Sequence, residues 1–399
     1  MHAEETPLPM ARLAIRWSVL MLGVSLSVGA CGAVFLHTLE WTTNAFKAHS
    51  TLGILGLPLW GLLTVWAYST FAATSAGGIK TLIEQIRAPQ PEPLPRSMAP
   101  AILGGTLLAH LGGASVGREG TALQLGGACA DQFSRFSKLT SSERQTLLLC
   151  GVSAGFAAVF GTPLAAAIFS LEFIRRRTWQ FIPCLATALL ADWTGQKFFG
   201  VHHMDYHGYF QSDSLTTTTG LGWAIVLGVA FGIAARLYLK AARDSRRAFA
   251  RIQNPYYRIL LGSFTFLILI LWWDLSAYTG LGLNSISEAF TQTPPVYFWI
   301  LKILLTALCL AAGFKGGEVT PLFCVGATLG ACVGPFTGLP LEVCVGLGFV
   351  AVFAGAGAVP VAGAAMAFEM FGFATGTYAL AACFVSSLIA GKQRLYSDA

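Results

Sequence analysis

Gly117-Arg118-Glu119-Gly120-Thr121 returns later in the chain as Gly316-Gly317-Glu318-Val319-Thr320-Pro321. At one constant offset Gly117 pairs with Gly316, Glu119 with Glu318, Thr121 with Thr320, Leu123 with Leu322 and Gly127 with Gly326. Each copy puts a carboxylate where a short apolar helix is expected to begin. A second pair of stretches, 154–172 and 351–369, aligns Pro163 with Pro360, Ala165 with Ala362, Ala167 with Ala364 and Glu172 with Glu369. The order is the same in both halves: a glycine-glutamate element, a Gly/Ala-rich element opened by proline, then a glutamate. A duplicated fold accounts for that order better than chance does.

The composition fixes the solvent. Of 399 residues 55% are hydrophobic and 11% charged, against roughly 25% charged in soluble domains. A polytopic α-helical membrane protein is predicted, and the 44 glycines suit close helix packing in lipid. The net charge of +6 sits in a few segments and speaks to topology. No basic stretch interleaved with aromatics suggests a nucleic-acid surface. The nine cysteines lie singly in apolar runs, without metal-ligand spacing, and read as packing residues. His202, His203 and His207 read as solvated loop histidines, so neither metal nor cofactor is expected.

Residues 1–11 are expected to be a cytoplasmic lead with no cleavable signal, followed by a first membrane repeat over 12–206 and a second over 207–399. No soluble regulatory domain is expected after Ala399. Leu13–Leu39, Leu52–Phe71, Leu221–Leu239 and Leu260–Leu275 are long enough to span a bilayer. Leu103–Gly113, Ala122–Cys129, Leu164–Phe173, Leu322–Gly334, Val343–Phe353 and Val361–Phe371 are shorter and broken by Gly or Pro, as half-helices meeting inside a membrane would be. The Lys/Arg bias puts Arg175–Arg177 and the cluster Lys240, Arg243, Arg246, Arg247 and Arg251 on the cytoplasmic side, with His202–Thr219 outside. Arg87–Arg96, with Pro89, Pro91, Pro93 and Pro95, is expected to be a stiff surface loop.

A carboxylate inside a membrane is a functional hypothesis by default. Its alternative is a simple helix cap, favoured by the free N–H groups at a helix start. Those groups also hold anions without a full positive charge. A carboxylate competing with an anion for them makes an exchange device, with the proton taken up as the anion enters. Gly117 and Gly120 let the backbone approach an ion, and Thr121 and Thr320 offer hydroxyl donors. Arg118 reads equally as an anion ligand or as a structural partner of carbonyls or an acid. Glu172 and Glu369 read as structural helix-end carboxylates, and His110 as a packed histidine. An intramembrane enzyme built on Glu119 and Glu318 lacks a nucleophile or metal-ligand set.

The G-R-E-G element at Gly117–Gly120, with Gly112-Gly113-Ala114-Ser115 before it, resembles that of the CLC chloride channel and transporter family. The later element stands where that family has G-x-F-x-P. Its glutamate and threonine are similar to the fluoride/proton antiporter branch. The resemblance extends over nearly the whole chain and implies two repeated, inverted halves with re-entrant helices. It also implies a homodimer with one pathway per subunit, in the cell inner (plasma) membrane and with both termini cytoplasmic. Position by position, Glu119 becomes the gating glutamate that carries the proton, while Glu318, Thr320 and the neighbouring Gly317 and Val319 line the central anion site. Tyr396, otherwise readable as an interface-anchoring aromatic, becomes a hydroxyl donor from the cytoplasmic side.

The family's first anion-binding loop, G-S-G-I-P in chloride members, falls on Ala76-Gly77-Gly78-Ile79-Lys80. Gly77 stands at the serine and Lys80 at the proline, so Gly77, Gly78 and Ile79 are the candidates to face the ion. The intracellular proton-accepting glutamate of chloride exchangers aligns with Phe173, which leaves Glu318 as the second proton station. The resemblance thus implies exchange of fluoride for protons. The alternative is a chloride channel or chloride/proton exchanger of the same fold.

Overall fold

The computed structural model describes residues 10–174, 178–210 and 216–395. Arg175–Arg177, Tyr396 and 211–215 of the His202–Thr219 stretch lie outside the described residues. The described chain is all helical apart from one isolated backbone bridge. In order, the first half holds α1 (Met10–Ala48), α2 (Ser50–Leu55), α3 (Leu57–Phe71), α4 (Ile79–Arg87), α5 (Met98–Leu111), α6 (Glu119–Gln132), α7 (Ser141–Phe160), α8 (Pro163–Ile174) and α9 (Phe181–Phe199). The second half holds α10 (Thr218–Ala250), α11 (Pro255–Trp273), α12 (Leu283–Ala289), α13 (Phe298–Ala312), α14 (Val319–Val333), α15 (Leu341–Gly357) and α16 (Pro360–Ala390).

Five helical stretches among the described residues are long and apolar enough to cross a membrane: α1, α10, α11, Val319–Phe336 (α14 with the turn that follows it) and α16. The 39 residues of α1 correspond to about 58 Å at 1.5 Å per residue. A hydrocarbon core of about 30 Å accommodates that length only if the helix tilts or projects. The expected span Leu52–Phe71 is instead two helices, broken between Leu55 and Leu57 where the Gly56 N–H closes the last turn of α2. The short Gly- and Pro-broken runs do form short helices. α16 is itself interrupted at Gly372, whose φ of 83° leaves Pro360–Phe371 as a half-helix. Helices α9 and α13 fall in stretches where Asp192, Lys197 and Lys302 interrupt the apolar runs, so hydropathy alone did not mark them.

Four helices make the centre. α7 is buried from Thr146 to Phe160, α14 from Val319 to Cys332 and α15 from Val343 to Gly357, while α6 is buried from Glu119 to Ala128. Glycine sets their spacing. A Cβ on Gly126 of α6 would lie 2.1 Å from the Gly151 carbonyl oxygen on α7. A Cβ on Gly326 of α14 would lie 1.9 Å from the Gly348 carbonyl on α15. Without a hydrophobic drive between helices in lipid, such backbone-to-backbone approach is the main source of attraction.

The halves clasp each other reciprocally. Glu172, near the end of α8, accepts from the Val361 and Ala362 N–H groups at the start of α16, at 3.1 and 2.9 Å. Glu369 of α16 accepts from Leu164 and Ala165 at the start of α8, at 2.9 and 2.8 Å. Both glutamates are therefore caps of the other half's helix, a structural role as expected. The proline-rich loop is held rather than merely stiff. Asp131 takes the Leu94 N–H at 2.7 Å and a two-pronged contact from Arg144, at 2.7 Å on each oxygen, and Arg144 also reaches the Gln90 and Glu92 carbonyls. Lys302, fully buried on α13, donates to the Tyr278 and Gly280 carbonyls at 2.9 and 2.8 Å and so ties down the loop before α12.

Candidate functional site

The two glycine-glutamate elements meet. Gly117 N–H donates to the Gly317 carbonyl at 2.6 Å and Gly317 N–H to the Gly117 carbonyl at 2.7 Å, as an antiparallel bridge. The segments run in opposite directions, as inverted copies should. The bridge also corrects the register expected from the sequence. Gly117 is opposite Gly317, not Gly316; α6 begins at Glu119 with Arg118 before it, and α14 begins at Val319 with Glu318 before it. By position in the repeat Glu318 therefore corresponds to Arg118, and Glu119 to Val319. The other pair of stretches does keep its alignment, since α8 begins at Pro163 and α16 at Pro360. The two registers are reconciled by length: α7 has 20 residues and α15 has 17.

Glu119 is completely buried, and its carboxylate bridges the two helix starts. One oxygen accepts from the Thr320 N–H at 2.8 Å and the Arg118 N–H at 3.1 Å. The other accepts from the Thr320 hydroxyl. The Arg118 Nε lies 3.9 Å from the carboxylate, with the guanidinium 5.6 Å from the centre of the Phe160 ring. Gly117, Gly120 and Gly317 make the room. A Cβ on Gly317 would stand 2.6 Å from the Gly120 nitrogen, and one on Gly117 2.7 Å from the Glu119 carboxylate. Backbone donors at converging helix ends, with no side chain in the way, suit an anion.

Thr121 is not part of this grip. Its hydroxyl pairs with that of Thr106 on α5 at 2.7 Å, because in α6 it lies two residues beyond Glu119 and faces α5. His110 donates through Nδ1 to the Thr106 carbonyl, 2.8 Å away, and is packed as expected. Glu318 makes no capping bond to its helix, and its Oε2 is buried without a hydrogen-bond partner. Val319 is the buried first residue of α14. No hydrogen bond joins Glu318 to Glu119 among the described residues.

Gly77, Gly78 and Ile79 form the lead into α4, with Gly78 at φ 57°. Gln124 on α6, absent from the residues expected at the site, connects this loop to it. Its Nε2 donates to the Gly120 carbonyl at 2.9 Å, and its Oε1 lies 3.2 Å from where a Cβ on Gly78 would be. A polar residue one turn after Gly120 in a buried helix was the available signal. Phe173 stacks on Phe169, with ring centres 5.1 Å apart, and offers no titratable group.

On one side Arg118 and Thr320 border a constriction of about 10 Å³ shared with Tyr206, Phe323, Phe349 and Met370. Beyond it Arg118 also borders a wider basin of about 440 Å³ with Glu40, His202 and His203. His203 is not a free loop histidine: its Nε2 is 2.7 Å from Asp192 on α9. No group of His, Cys, Asp or Glu among the described residues could hold a metal ion.

The family described as voltage gated chloride channel matches residues 60–391. The chain belongs to this family, the CLC family. A chloride/fluoride channel protein of Pseudomonas syringae pv. tomato is 37% identical over 392 residues, covering 96% of this chain and 85% of its own. An H(+)/Cl(−) exchange transporter of Cronobacter sakazakii is 27% identical over 361 residues, covering 83% and 74%. Among solved structures, a CLC-type fluoride/proton antiporter superposes with a TM-score of 0.92 at 30% identity, covering 98% of this chain and 99% of that one. A slow cyanobacterial Cl−/H+ antiporter gives 0.81 at 22% identity, over 96% of each chain, a likeness of fold. The CLC fold makes this chain an integral membrane protein of a transporter and channel family, with the architecture of its anion/proton antiporters.

Proposed function

We propose that this CLC protein is a secondary antiporter that exchanges fluoride for protons. The observation that carries the reading is the Glu119 carboxylate held by the Thr320 and Arg118 N–H groups and the Thr320 hydroxyl. A charged Glu119 fills an anion's seat at two helix starts. Once protonated it loses its hold on those donors, and an anion takes them. Glu318, half-buried and uncapped with one carboxylate oxygen buried, supplies the second proton station that Phe173 cannot. Fluoride, the halide that accepts the strongest hydrogen bonds, gains most from the Thr320 hydroxyl and from a protonated Glu318. Two relatives support this choice, since their names include fluoride.

In this reading Gly77, Gly78 and Ile79 border the anion from α4, Gly117, Gly120, Gly317 and Val319 supply backbone, and Tyr396 donates from the cytoplasmic side. Thr121 drops out of the set. Arg118 steadies Glu119 and the outer constriction. The repeats run over 12–206 and 207–399 after a lead at 1–11, and the protein is a homodimer in the inner (plasma) membrane, surrounded by lipid, with cytoplasmic termini.

The test is efflux from proteoliposomes under fluoride and chloride gradients with proton flux followed at the same time. Fluoride efflux that drives protons inward supports the reading. Chloride movement without fluoride movement would replace it with a chloride exchanger, and fluoride movement without protons with a channel.

A further inference from the structure

The start of α11 holds a cation without an anion. Arg258 stands there, where the helix dipole disfavours positive charge, and its Nε is buried without a hydrogen-bond partner. Its Nη2 lies 3.8 Å from where a Cβ on Gly313 would be, at the turn after α13. Two residues further on, Lys315 packs its stem on α5, with Cγ 2.8 Å from where a Cβ on Gly105 would be. Its Nζ is 4.2 Å from the centre of the Tyr68 ring, near the end of α3. Both cations are partly exposed, and neither makes an ion pair with an acid among the described residues. They flank one seam, between α3, α11 and the segment that leads to Glu318.

The seam opens at headgroup depth. The 19 residues of α11 make about 28 Å at 1.5 Å per residue, which matches a hydrocarbon core of about 30 Å. Tyr257 at its start and Trp272 and Trp273 at its end are exposed, as aromatic residues at the two membrane interfaces are. Trp66 and Phe71 of α3 are exposed as well, and the Tyr256 hydroxyl meets that of Ser69 on α3 at 3.1 Å, so the end of α3 lies at the start of α11. Arg258 is one residue inside this belt. The exposed Leu261, Phe264 and Ile268 continue along α11 from there, a surface for acyl chains. The Lys/Arg bias makes this the cytoplasmic end. Uncompensated cations at that depth are costly, and basic pockets between helices on that side take anionic headgroups.

We propose that Arg258 and Lys315 bind the headgroup phosphate of an anionic phospholipid from the cytoplasmic leaflet, with its chains lying along α3 and α11. The occupant is a lipid rather than free phosphate, because the pair is bordered by exposed aromatic and apolar side chains within the bilayer. The segment from Gly313 runs to Gly317, which is bonded to Gly117, so a lipid held there steadies the approach to Glu318 from the membrane side. The inference holds whichever anion is carried.

The test is native mass spectrometry of the detergent-solubilised protein titrated with phosphatidylglycerol or with phosphatidylcholine. Wild type should bind phosphatidylglycerol about 10-fold more tightly or better, since each Lys or Arg near a membrane surface contributes roughly a fivefold factor toward anionic lipid. Arg258→Gln/Lys315→Met should lose that preference. Lys240→Gln/Arg251→Gln, which removes the same charge from exposed positions at the end of α10, should keep it. Arg258→Lys/Lys315→Arg should keep it too, and with the wild-type comparison leaves the proposal testable where the neutral variant fails to fold. Phosphatidylglycerol should also raise the melting temperature of wild type, by binding the folded state, and not that of the neutral variant.

Equal retention of the two lipids by wild type, or an unchanged preference in the neutral variant, would overturn the site. Loss of the preference in the α10 variant would reduce it to general surface charge. Displacement of the lipid by excess inorganic phosphate would replace it with a site for soluble anions. None of these outcomes bears on fluoride against chloride, which the flux measurements decide separately.

Discussion

At the scale of single residues the two glutamates have different surroundings and should fail differently. Glu119 has three donors, and an amide in its place can neither bind nor release a proton. Glu119→Gln is expected to abolish proton movement driven by a fluoride gradient, read with a pH-sensitive dye in liposomes; retained pumping would remove Glu119 from the proton path. Glu318 makes no capping bond and leaves one oxygen without a partner. A true cap is worth on the order of 1 kcal/mol, and an unpaired buried polar atom costs about 1–3 kcal/mol. Glu318→Gln should therefore keep thermal stability within about 0.5 kcal/mol while losing coupled exchange. A large drop in melting temperature with coupling intact would make Glu318 structural.

Among the elements, the most exacting contact is the crossing of α14 and α15. A methyl on Gly326 would lie 1.9 Å from the Gly348 carbonyl, a backbone atom that cannot move aside without shifting the helix. Gly326→Ala is expected to cost about 3 kcal/mol or more, seen as loss of the monodisperse peak in detergent chromatography. The Asp131–Arg144 pair joins α6, α7 and the proline-rich loop, with its carboxylate fully buried. Arg144→Ala strands that charge and should destabilise by about 3–5 kcal/mol, whereas Arg144→Ala combined with Asp131→Ala should recover part of the loss in a thermal-shift measurement. If the double variant were as unstable as the single, the pair would not be the cause. The Pro runs and Gly-broken helices are legible in the sequence, because punctuation by those residues is local. The partners of Asp131 are not, because Leu94 and Arg144 are set beside it by folding.

For the molecule as a whole, the Lys/Arg bias predicts which way it faces. It puts the basic end of α10 on the cytoplasmic side, and the proposed function puts the Arg118 basin on the outer side. A cysteine at Arg246 should react with an impermeant reagent only from the cytoplasmic side, and one at His202, on the rim of the basin at Arg118, only from outside. Reaction at Arg246 in intact cells would reverse the orientation and, with it, the direction of export.

Composition alone determined that this chain lives in lipid, since 11% charged residues cannot solvate a surface of this size. Repetition determined that it folds as two related halves, and the motif pair carried its family. The tertiary structure decided which atoms meet. It made Glu318 the counterpart of Arg118 rather than of Glu119, chose Thr320 over Thr121 as the hydroxyl at the carboxylate, and paired His203 with Asp192. It also crossed the caps, with Glu172 on α16 and Glu369 on α8. The physical reason is one of range. Hydropathy, helix breaks and repeats are written along the chain within a few turns. The antiparallel meeting of Gly117 with Gly317 is fixed by the packing of helices far apart in sequence, and a register one residue different leaves the sequence pattern almost unchanged while turning every side chain at the site to a new neighbour.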